Sequence, residues 1–177
     1  LAKYDGSGNL LWAKSAGGTS SDYGRSVSTD LNGNVFITGA FQRTSITFDS
    51  YTLTNAGGDD IFLAKYDGSG NVLWAKSVGK TGNDVGKSIS SDLNGNVFVT
   101  GSFSSSTIVF GSSPIIMNRG ASDVFLAKYD GSGNVLWAKS AGGISDDYGT
   151  SVSAATDSNA FVTGYFNKGP ITFGSCV

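Results

Sequence analysis

Residues 63–71 read Leu-Ala-Lys-Tyr-Asp-Gly-Ser-Gly-Asn, and the same nine residues stand at 1–9 and at 126–134. A tryptophan follows each copy three residues later, and the segments between the copies also resemble one another. The first step of the repeat is 62 residues and the second is 63, because one extra residue lies between Ile108 and Leu126. Self-similarity at a fixed period indicates an architecture made of repeated structural units.

Each repeat contains four strand-forming segments separated by turn-forming residues. In the turns, glycine supplies positive φ angles, and Asp, Ser and Asn side chains bond to their own backbone. In the central repeat this pattern predicts strands at 60–66, 72–77, 86–91 and 97–101, with hairpin turns at 67–71 and 92–96. A polar stretch, 102–106, and a short β-segment, 108–110, complete the unit.

Several of the predicted strands are apolar on both faces, as the consecutive apolar residues at 61–63 and 97–99 show. A strand of this kind needs a packing layer on each side. Four-stranded antiparallel sheets stacked face to face around an axis supply both layers. The sequence therefore predicts an all-β fold of β-propeller blades, with about three blade equivalents in tandem repeats of 62–63 residues.

Three phrases make a family resemblance specific. They are Asp-Val-Phe-Leu-Ala-Lys-Tyr-Asp at 123–130, Gly-Asn-Val-Leu-Trp-Ala-Lys-Ser at 133–140, and Gly-Asn-Val-Phe-Val-Thr-Gly-Ser-Phe at 95–103. Together they resemble the bacterial SBBP repeat family of the seven-bladed β-propeller type, and the resemblance covers nearly the whole chain. It implies propellers in secreted or surface-associated bacterial proteins, often large and multi-domain, and it implies no single activity.

The third repeat departs from the pattern at one turn. Ala155 stands where the other repeats have Asp, Ser158 where they have Gly, and Ala160 where they have Val. We therefore expect this turn to differ from the first two.

The phase of the repeat predicts how the chain divides into blades. We expect a half blade at 1–18, a blade at 19–80, a second blade at 81–143 and a complementary half blade at 144–177. Because propellers close with 4–8 blades, three equivalents are too few for closure. The sequence thus predicts a segment of a longer protein, which pairs with further repeats of the same chain or with another copy through its open edges.

Composition narrows the classes of function. The net charge is −2 and the 12 Lys and Arg are spread evenly, which argues against a nucleic-acid partner. No apolar run is long enough for membrane insertion as a helix. The chain has no His, which is the usual general base and metal ligand, and its one cysteine, Cys176, cannot form an intrachain disulfide.

Two turns carry oxygen-bearing residues at alternate positions, as at the start of a calcium loop. These are Asp67, Ser69 and Asn71 in one turn and Asp92, Asn94 and Asn96 in the other. A complete calcium loop also requires a downstream Glu, and the chain contains none. We interpret both segments as hairpin turns, and keep calcium binding as the alternative.

Repeated charged and aromatic residues offer further candidate sites. Lysines and aspartates at fixed positions could form a ring for an anionic ligand, or they could be solvated strand ends and inter-blade pairs; they are Lys65, Lys76, Lys128, Lys139, Asp84 and Asp147. The aromatic residues could form a platform for sugars, but burial between blades is the favoured interpretation; they are Trp12, Trp74, Trp137, Phe36, Phe98 and Phe161. The serine-rich stretch 102–106 with Thr107 is interpreted as a polar loop, with O-glycosylation as the alternative.

Catalysis has little support in the sequence. Adjacent acids occur at 59–60 and 146–147, but the first pair precedes a strand at a position repeated as Ser122–Asp123, which indicates a structural cap. We assign no catalytic, cofactor-binding or metal-binding residue and predict no cofactor. The chain is expected to be a non-enzymatic structural or interaction module of an extracellular or cell-surface bacterial protein, presenting repeated loops to a protein or glycan. The alternatives are a self-assembling subunit, which forms a ring or filament by half-blade complementation, and a glycan-active hydrolase.

Overall fold

The computed structural model describes residues 1–174, which contain strands and turns. The strands, in chain order, are β1 (Ala2–Tyr4), β2 (Leu10–Ala13), β3 (Asp22–Thr29), β4 (Val35–Gln42), β5 (Ser45–Phe48), β6 (Tyr51–Thr54), β7 (Asp59–Tyr66), β8 (Val72–Val78), β9 (Asp84–Ser91), β10 (Val97–Phe103), β11 (Thr107–Ile108), β12 (Ile116–Met117), β13 (Asp123–Tyr129), β14 (Val135–Gly142), β15 (Asp147–Ala154), β16 (Ala160–Phe166) and β17 (Thr172–Phe173). Cys176 lies outside the described residues.

The long strands form two antiparallel sheets. Blade 1 has the strand order β3-β4-β7-β8, and blade 2 has the order β9-β10-β13-β14, with the short β17 added beyond β14. Two hairpins flank these blades: β1–β2, which we name the amino half-blade, and β15–β16, which we name the carboxy half-blade. Two small hairpins, β5–β6 and β11–β12, stand apart from the sheets. The predicted all-β fold of four-stranded propeller blades is confirmed.

Blades 1 and 2 stack face to face through a shared apolar layer. Phe36 and Leu63 of blade 1 belong to the same buried cluster as Ile89, Val99 and Phe125 of blade 2. A second cluster, which includes Phe41, lies on the other face of blade 1. Two-sided burial explains why the middle strands of each blade carry consecutive apolar residues.

Serine side chains connect the first strands of successive blades. Ser26 Oγ accepts a hydrogen bond from the backbone N–H of Ile89 at 3.2 Å, and Ser88 Oγ accepts one from Val152 at 3.1 Å. The first strand lies at the edge of its sheet, so its outward N–H groups have no strand partner there. The hydroxyls of the preceding blade satisfy them, which explains the polarity of these strands.

The third repeat keeps the backbone of the turn that was expected to differ. Ala155 donates to the carbonyl of Asn159 at 2.8 Å, and Ser158 donates to the carbonyl of Ala155 at 3.2 Å, as the matching residues of the other repeats do. That prediction is therefore wrong for the backbone. The side chains do differ: Asp157, two positions further on, takes over as the acceptor for Asn159.

Ser158 adopts a left-handed conformation with φ of 65°, where the other turns have glycine. Because a side chain is strained in this region, Ser158→Gly is expected to raise the free energy of unfolding by about 0.5–1 kcal/mol. The gain exceeds the loss of the exposed Asn94-to-Ser158 hydrogen bond. Chemical denaturation measures it, and the reciprocal change Gly95→Ser, at φ of 76°, should destabilise. An unchanged midpoint for both variants would contradict the strain.

The serine-rich stretch is more ordered than a polar loop. Ser102 lies in β10 and is buried, and Ser105 is buried with its hydroxyl donating to Asp84 Oδ2 at 2.7 Å. The polar-loop prediction is therefore wrong for Ser102, whereas Ser105 lies in a loop but is buried. Neither hydroxyl is accessible for glycosylation. Residue type alone did not reveal this, because the buried partner Asp84 is 21 positions away.

Candidate interaction surfaces

The turn aspartates act as hairpin residues. Asp67 Oδ1 accepts the backbone N–H groups of Ser69 and Asn71 at 2.8 and 2.9 Å, and its Oδ2 accepts the amide N–H of Asn71 at 2.8 Å. Gly70 completes the turn at φ of 84°. The same bonds recur at Asp92, where the side-chain amide of Asn96 also points its donor at the carboxylate. This geometry is that of the predicted turn, with the carboxylate already occupied by donors.

These hydrogen bonds change the acidity of the turn carboxyls. In Asp67 the bonds from Asn71 lower the pKa below its ordinary value of 3.8. In Asp92 burial raises the pKa, yet the bonds from Asn96, Ser158 and Asn94 together outweigh burial, and the pKa is again lowered. Both groups therefore stay ionised and stabilise the turns until the pH falls below about 3.8.

Lysine and tryptophan together connect each blade to the turn of the next one. Lys65 Nζ and Trp74 Nε1 of blade 1 both donate to the carbonyl of Gly131 in blade 2, at 2.8 and 3.3 Å. The amino half-blade makes the same pair of bonds to the carbonyl of Gly68. Of the two alternatives for the repeated lysines, the inter-blade contact is present at Lys65, with a carbonyl as the partner.

All three tryptophans are half-buried, and Trp12 and Trp74 lie between blades. The ring of Trp74 lies beside Gly133 of the following turn, where a Cβ would come within 3.1 Å of it, and Trp12 lies beside Gly70 in the same way. Phe36 and Phe98 are fully buried, as predicted, and each packs against a tryptophan of its own blade. Stacking of a sugar on the face of Trp74 is therefore blocked by the next blade.

The repeated aspartates form buried pairs between blades. Asp84 accepts four hydrogen bonds, from the backbone of Lys80, Ser104 and Ser105 and from the Ser105 hydroxyl. Asp60, in β7 of blade 1, accepts one bond at Oδ2 from Ala56, and its buried Oδ1 has no partner among residues 1–174. These hydrogen bonds from backbone N–H groups agree with the capping role predicted for the acids at 59–60.

Burial that hydrogen bonds do not fully compensate raises the pKa of two aspartates, Asp60 and Asp123. Desolvation raises the pKa of Asp60 to about 6, with help from the charges of Asp84 and Asp59. Asp123 occupies the same position in blade 2, and burial together with the charge of Asp147 raises its pKa to about 6 as well. The sequence did not predict this, because both partners of each pair come from different strands.

The carboxy half-blade exposes aromatic residues that the other repeats bury. Phe161 is 71% exposed, whereas Phe36 and Phe98 at the same repeat position are 0% exposed. Phe166 is 55% exposed, and its counterpart Phe103 is 0% exposed. In blades 1 and 2 the third and fourth strands cover these positions. Exposed apolar clusters of this kind mark contact surfaces.

The amino half-blade shows the complementary exposure. Tyr4 is 60% exposed, whereas Tyr66 and Tyr129 at the same repeat position are 2% and 3% exposed. Tyr66 pairs with the second-strand residue Val35, and Tyr129 with Val97. The amino half-blade thus has the third and fourth strands of a blade, and the carboxy half-blade has the first and second.

A groove on the outer side of blade 2 breaks the repeat symmetry. It lies between the segment 112–119, which includes β12, and β14, with a volume of about 750 Å³. Ile115, Met117 and Leu136 are more than half exposed there. The sequence pointed to this region only through the extra residue of the second repeat.

Other kinds of site have no support in the part of the chain that the structure describes. Residues 1–174 contain no group of three or more Cys, Asp or Glu placed to hold a metal ion. Within the same range, no helix has the length and apolarity that crossing a membrane requires.

Comparison with known proteins supports the class that the fold defines. The SBBP β-propeller repeat matches residues 11–40, which run from β2 through β4. Residues 11–40 are therefore similar to a β-propeller repeat of this kind, in keeping with the resemblance seen in the sequence. A repeat fold of this kind fits an interaction module in general.

Two relatives extend the similarity over most of the chain. An uncharacterized WD repeat-containing protein of Acanthamoeba polyphaga mimivirus is 27% identical over 97% of this chain and 14% of its own length. The regulatory protein FlaEY of Caulobacter vibrioides is 30% identical over 89% of this chain and 17% of its own length. The chain thus spans less than a fifth of either relative.

Proposed function

We propose that this chain is a non-enzymatic interaction module of an extracellular or cell-surface bacterial protein, which presents repeated loops to a protein or glycan ligand. One observation carries the proposal: several of the acids and lysines that recur in the repeats are engaged within the fold. Asp67 holds a turn, Asp84 holds the loop before β11, and Lys65 joins two blades. The side chains that remain exposed are therefore suited to binding a partner.

Binding assays on glycan and protein arrays, run beside hydrolysis assays on the same glycans, test this proposal. We expect saturable binding without turnover. Turnover that disappears on Asn substitution of Asp59 and Asp146 would contradict the proposal and support the glycan-active hydrolase. Protease treatment of intact host cells tests the location, since an extracellular module is cleaved without lysis.

The open half-blades favour a second function, self-assembly. By analogy with the pairing of β10 with β13, the edge of β16 matches the edge of β1 from a second copy, with Ala160 opposite Tyr4 and Phe161 opposite Lys3. Lys128 and Trp137 would then donate to the carbonyl of Gly6, as Lys65 and Trp74 do to Gly131. Further repeats of a longer chain would offer the same strand edges. The edge of β16 would therefore pair in the same way with a second copy or with a further repeat.

Solution mass as a function of concentration tests self-assembly. We expect dimers or longer polymers for the unaltered chain, and monomers for Val162→Pro, because proline cannot donate to the added strand. The same substitution in β1, Ala2→Pro, should have the same effect. A monomer at all concentrations for the unaltered chain would contradict self-assembly, and leave the first proposal in place.

A further inference from the structure

β14 is the outermost long strand of blade 2, and most of its outer edge is open. The short strand β17 pairs with it only at Ala141 and Gly142. Among residues 1–174, no strand pairs with the outer edge of 135–140. An edge of this kind accepts an added strand from another polypeptide, because its outward N–H and C=O groups are free to bond.

Blade 1 shows what normally covers this position. The hydroxyl of Tyr51, at the start of β6, donates to the carbonyl of Leu73 in the outermost strand β8 at 2.8 Å. The two repeats are aligned here by Asn55 and Asn118, whose side chains donate to equivalent carbonyls, of Phe41 and Phe103. Tyr51 in blade 1 therefore corresponds to Pro114 in blade 2, 63 positions later.

Proline cannot replace the tyrosine contact. Pro114 has no hydroxyl and no backbone N–H, so it leaves the carbonyl of Leu136, the counterpart of Leu73, without that donor. The groove of about 750 Å³ occupies this space, and its rim exposes Ile115, Met117 and Leu136 at 64, 66 and 51%. Blade 2 thus keeps the equivalent short strand, β12, but lacks the tyrosine that in blade 1 contacts the outermost strand.

Charge distinguishes among the segments that could fill the groove. Arg119 and Lys139 line the groove, and no acid lines it. The whole chain has a net charge of −2, whereas the groove is locally positive. Complementarity therefore favours an acidic segment.

We propose that the outer edge of β14 and the segment 112–119 bind an extended acidic peptide that carries a tyrosine. The peptide adds as a strand along β14, its phenol donates to the carbonyl of Leu136, and its acids face Arg119 and Lys139. Backbone pairing supplies affinity, and the phenol and acids supply specificity. The inference rests on the proposed interaction function and names one ligand class for it.

The chain itself supplies the probe, because residues 49–55 contain Tyr51 in its native strand and one acid, Asp49. We expect a fluorescently labelled synthetic peptide of this sequence to bind the intact chain in an anisotropy titration. Amide signals of 135–140 should shift in NMR spectra on binding. A peptide with phenylalanine for tyrosine should bind about fivefold more weakly, since it lacks one hydrogen bond.

Matched variants of the chain place the site. Ile115→Asp and Lys139→Glu alter exposed groove residues and should each weaken binding at least fivefold, whereas Leu31→Asp, at an exposed turn on blade 1, should leave it unchanged. Equal binding by all three variants, or amide shifts confined to another strand, would overturn the proposal. Glycan binding in the groove, or dimers lost on Ile115→Asp, would overturn it in favour of those occupants. Binding of other ligands by the loops would persist if the peptide proposal failed. The broader interaction function is therefore tested by the array assays and not by these variants.

Discussion

Asparagine at positions 60 and 123 is expected to raise the stability of the protein at pH 7.5 by about 1–3 kcal/mol for each site. Both carboxyls are buried, and each has one oxygen, Oδ1, without a partner among residues 1–174. An amide keeps an oxygen for the bond from Ala56 or Arg119 and removes a buried negative charge beside Asp84 or Asp147. The neutral side chain therefore costs less to bury than the carboxylate.

The pH dependence follows from the direction of the shifts. The pKa of Asp60 and of Asp123 is raised from 3.8 to about 6 in the folded protein. Their contribution to stability is therefore fully present below pH 3.8 and is lost as the pH rises through about 6. The turn carboxyls of Asp67 and Asp130 have lowered pKa values, so their contribution is present above 3.8 and is lost at lower pH. Maximal stability is expected near pH 4–5, a range bounded by these two opposite effects.

Urea denaturation between pH 3.5 and 8 measures both effects. The unaltered protein should lose stability from pH 5 to 7.5, and the double variant D60N/D123N should lose much less. Asp84→Asn is the matched control, because both oxygens of Asp84 already accept hydrogen bonds and an amide would turn a donor toward donors. We expect this variant to be less stable at every pH. Parallel pH profiles for the double variant and the unaltered chain would contradict the buried-charge explanation.

The turns and the strand order within each blade were predictable because local sequence specifies them. Turn residues at 67–71 and 92–96 select the hairpins, and runs such as 61–63 require burial on both faces. The structure places strands within two residues of nearly every predicted position in the central repeat. The repeats strengthened the prediction, because a turn or strand identified in one copy could be assigned at the matching position of the others.

The interaction surfaces were much less predictable, because they depend on differences between repeats in three dimensions. Phe161 has the same residue type as Phe98, and only the missing cover makes it exposed. The groove beside β14 arises because Pro114 falls where blade 1 has Tyr51, an alignment that needs the anchoring bonds of Asn55 and Asn118. The turn at Ser158 shows the converse: the sequence changed and the backbone did not, because flanking strand pairing fixes the hairpin.

Alanine at position 98 is expected to destabilise the protein by about 3–5 kcal/mol, whereas alanine at the equivalent position 161 is expected to change it by less than about 0.5 kcal/mol. Phe98 is fully buried, packs against Trp137 with ring centroids 5.9 Å apart, and lies under Lys128 Nζ at 4.7 Å. Its removal leaves a cavity that the rigid blade cannot fill. Phe161 is 71% exposed and has no such cover within residues 1–174.

The pair of variants also reports on the open edge, since the same residue type occupies the same repeat position in two environments. In dilute solution, where the chain is monomeric, denaturation should show the predicted difference in unfolding free energy between the two variants. At concentrations where the chain self-associates, Phe161→Ala should weaken association about as strongly as burial of an aromatic side chain stabilises it, by about 2 kcal/mol or some thirtyfold in the dissociation constant. Association unaffected by Phe161→Ala would show that the carboxy half-blade is not the contact surface, because a strand added at β16 must cover this ring as β13 and β14 cover Phe98.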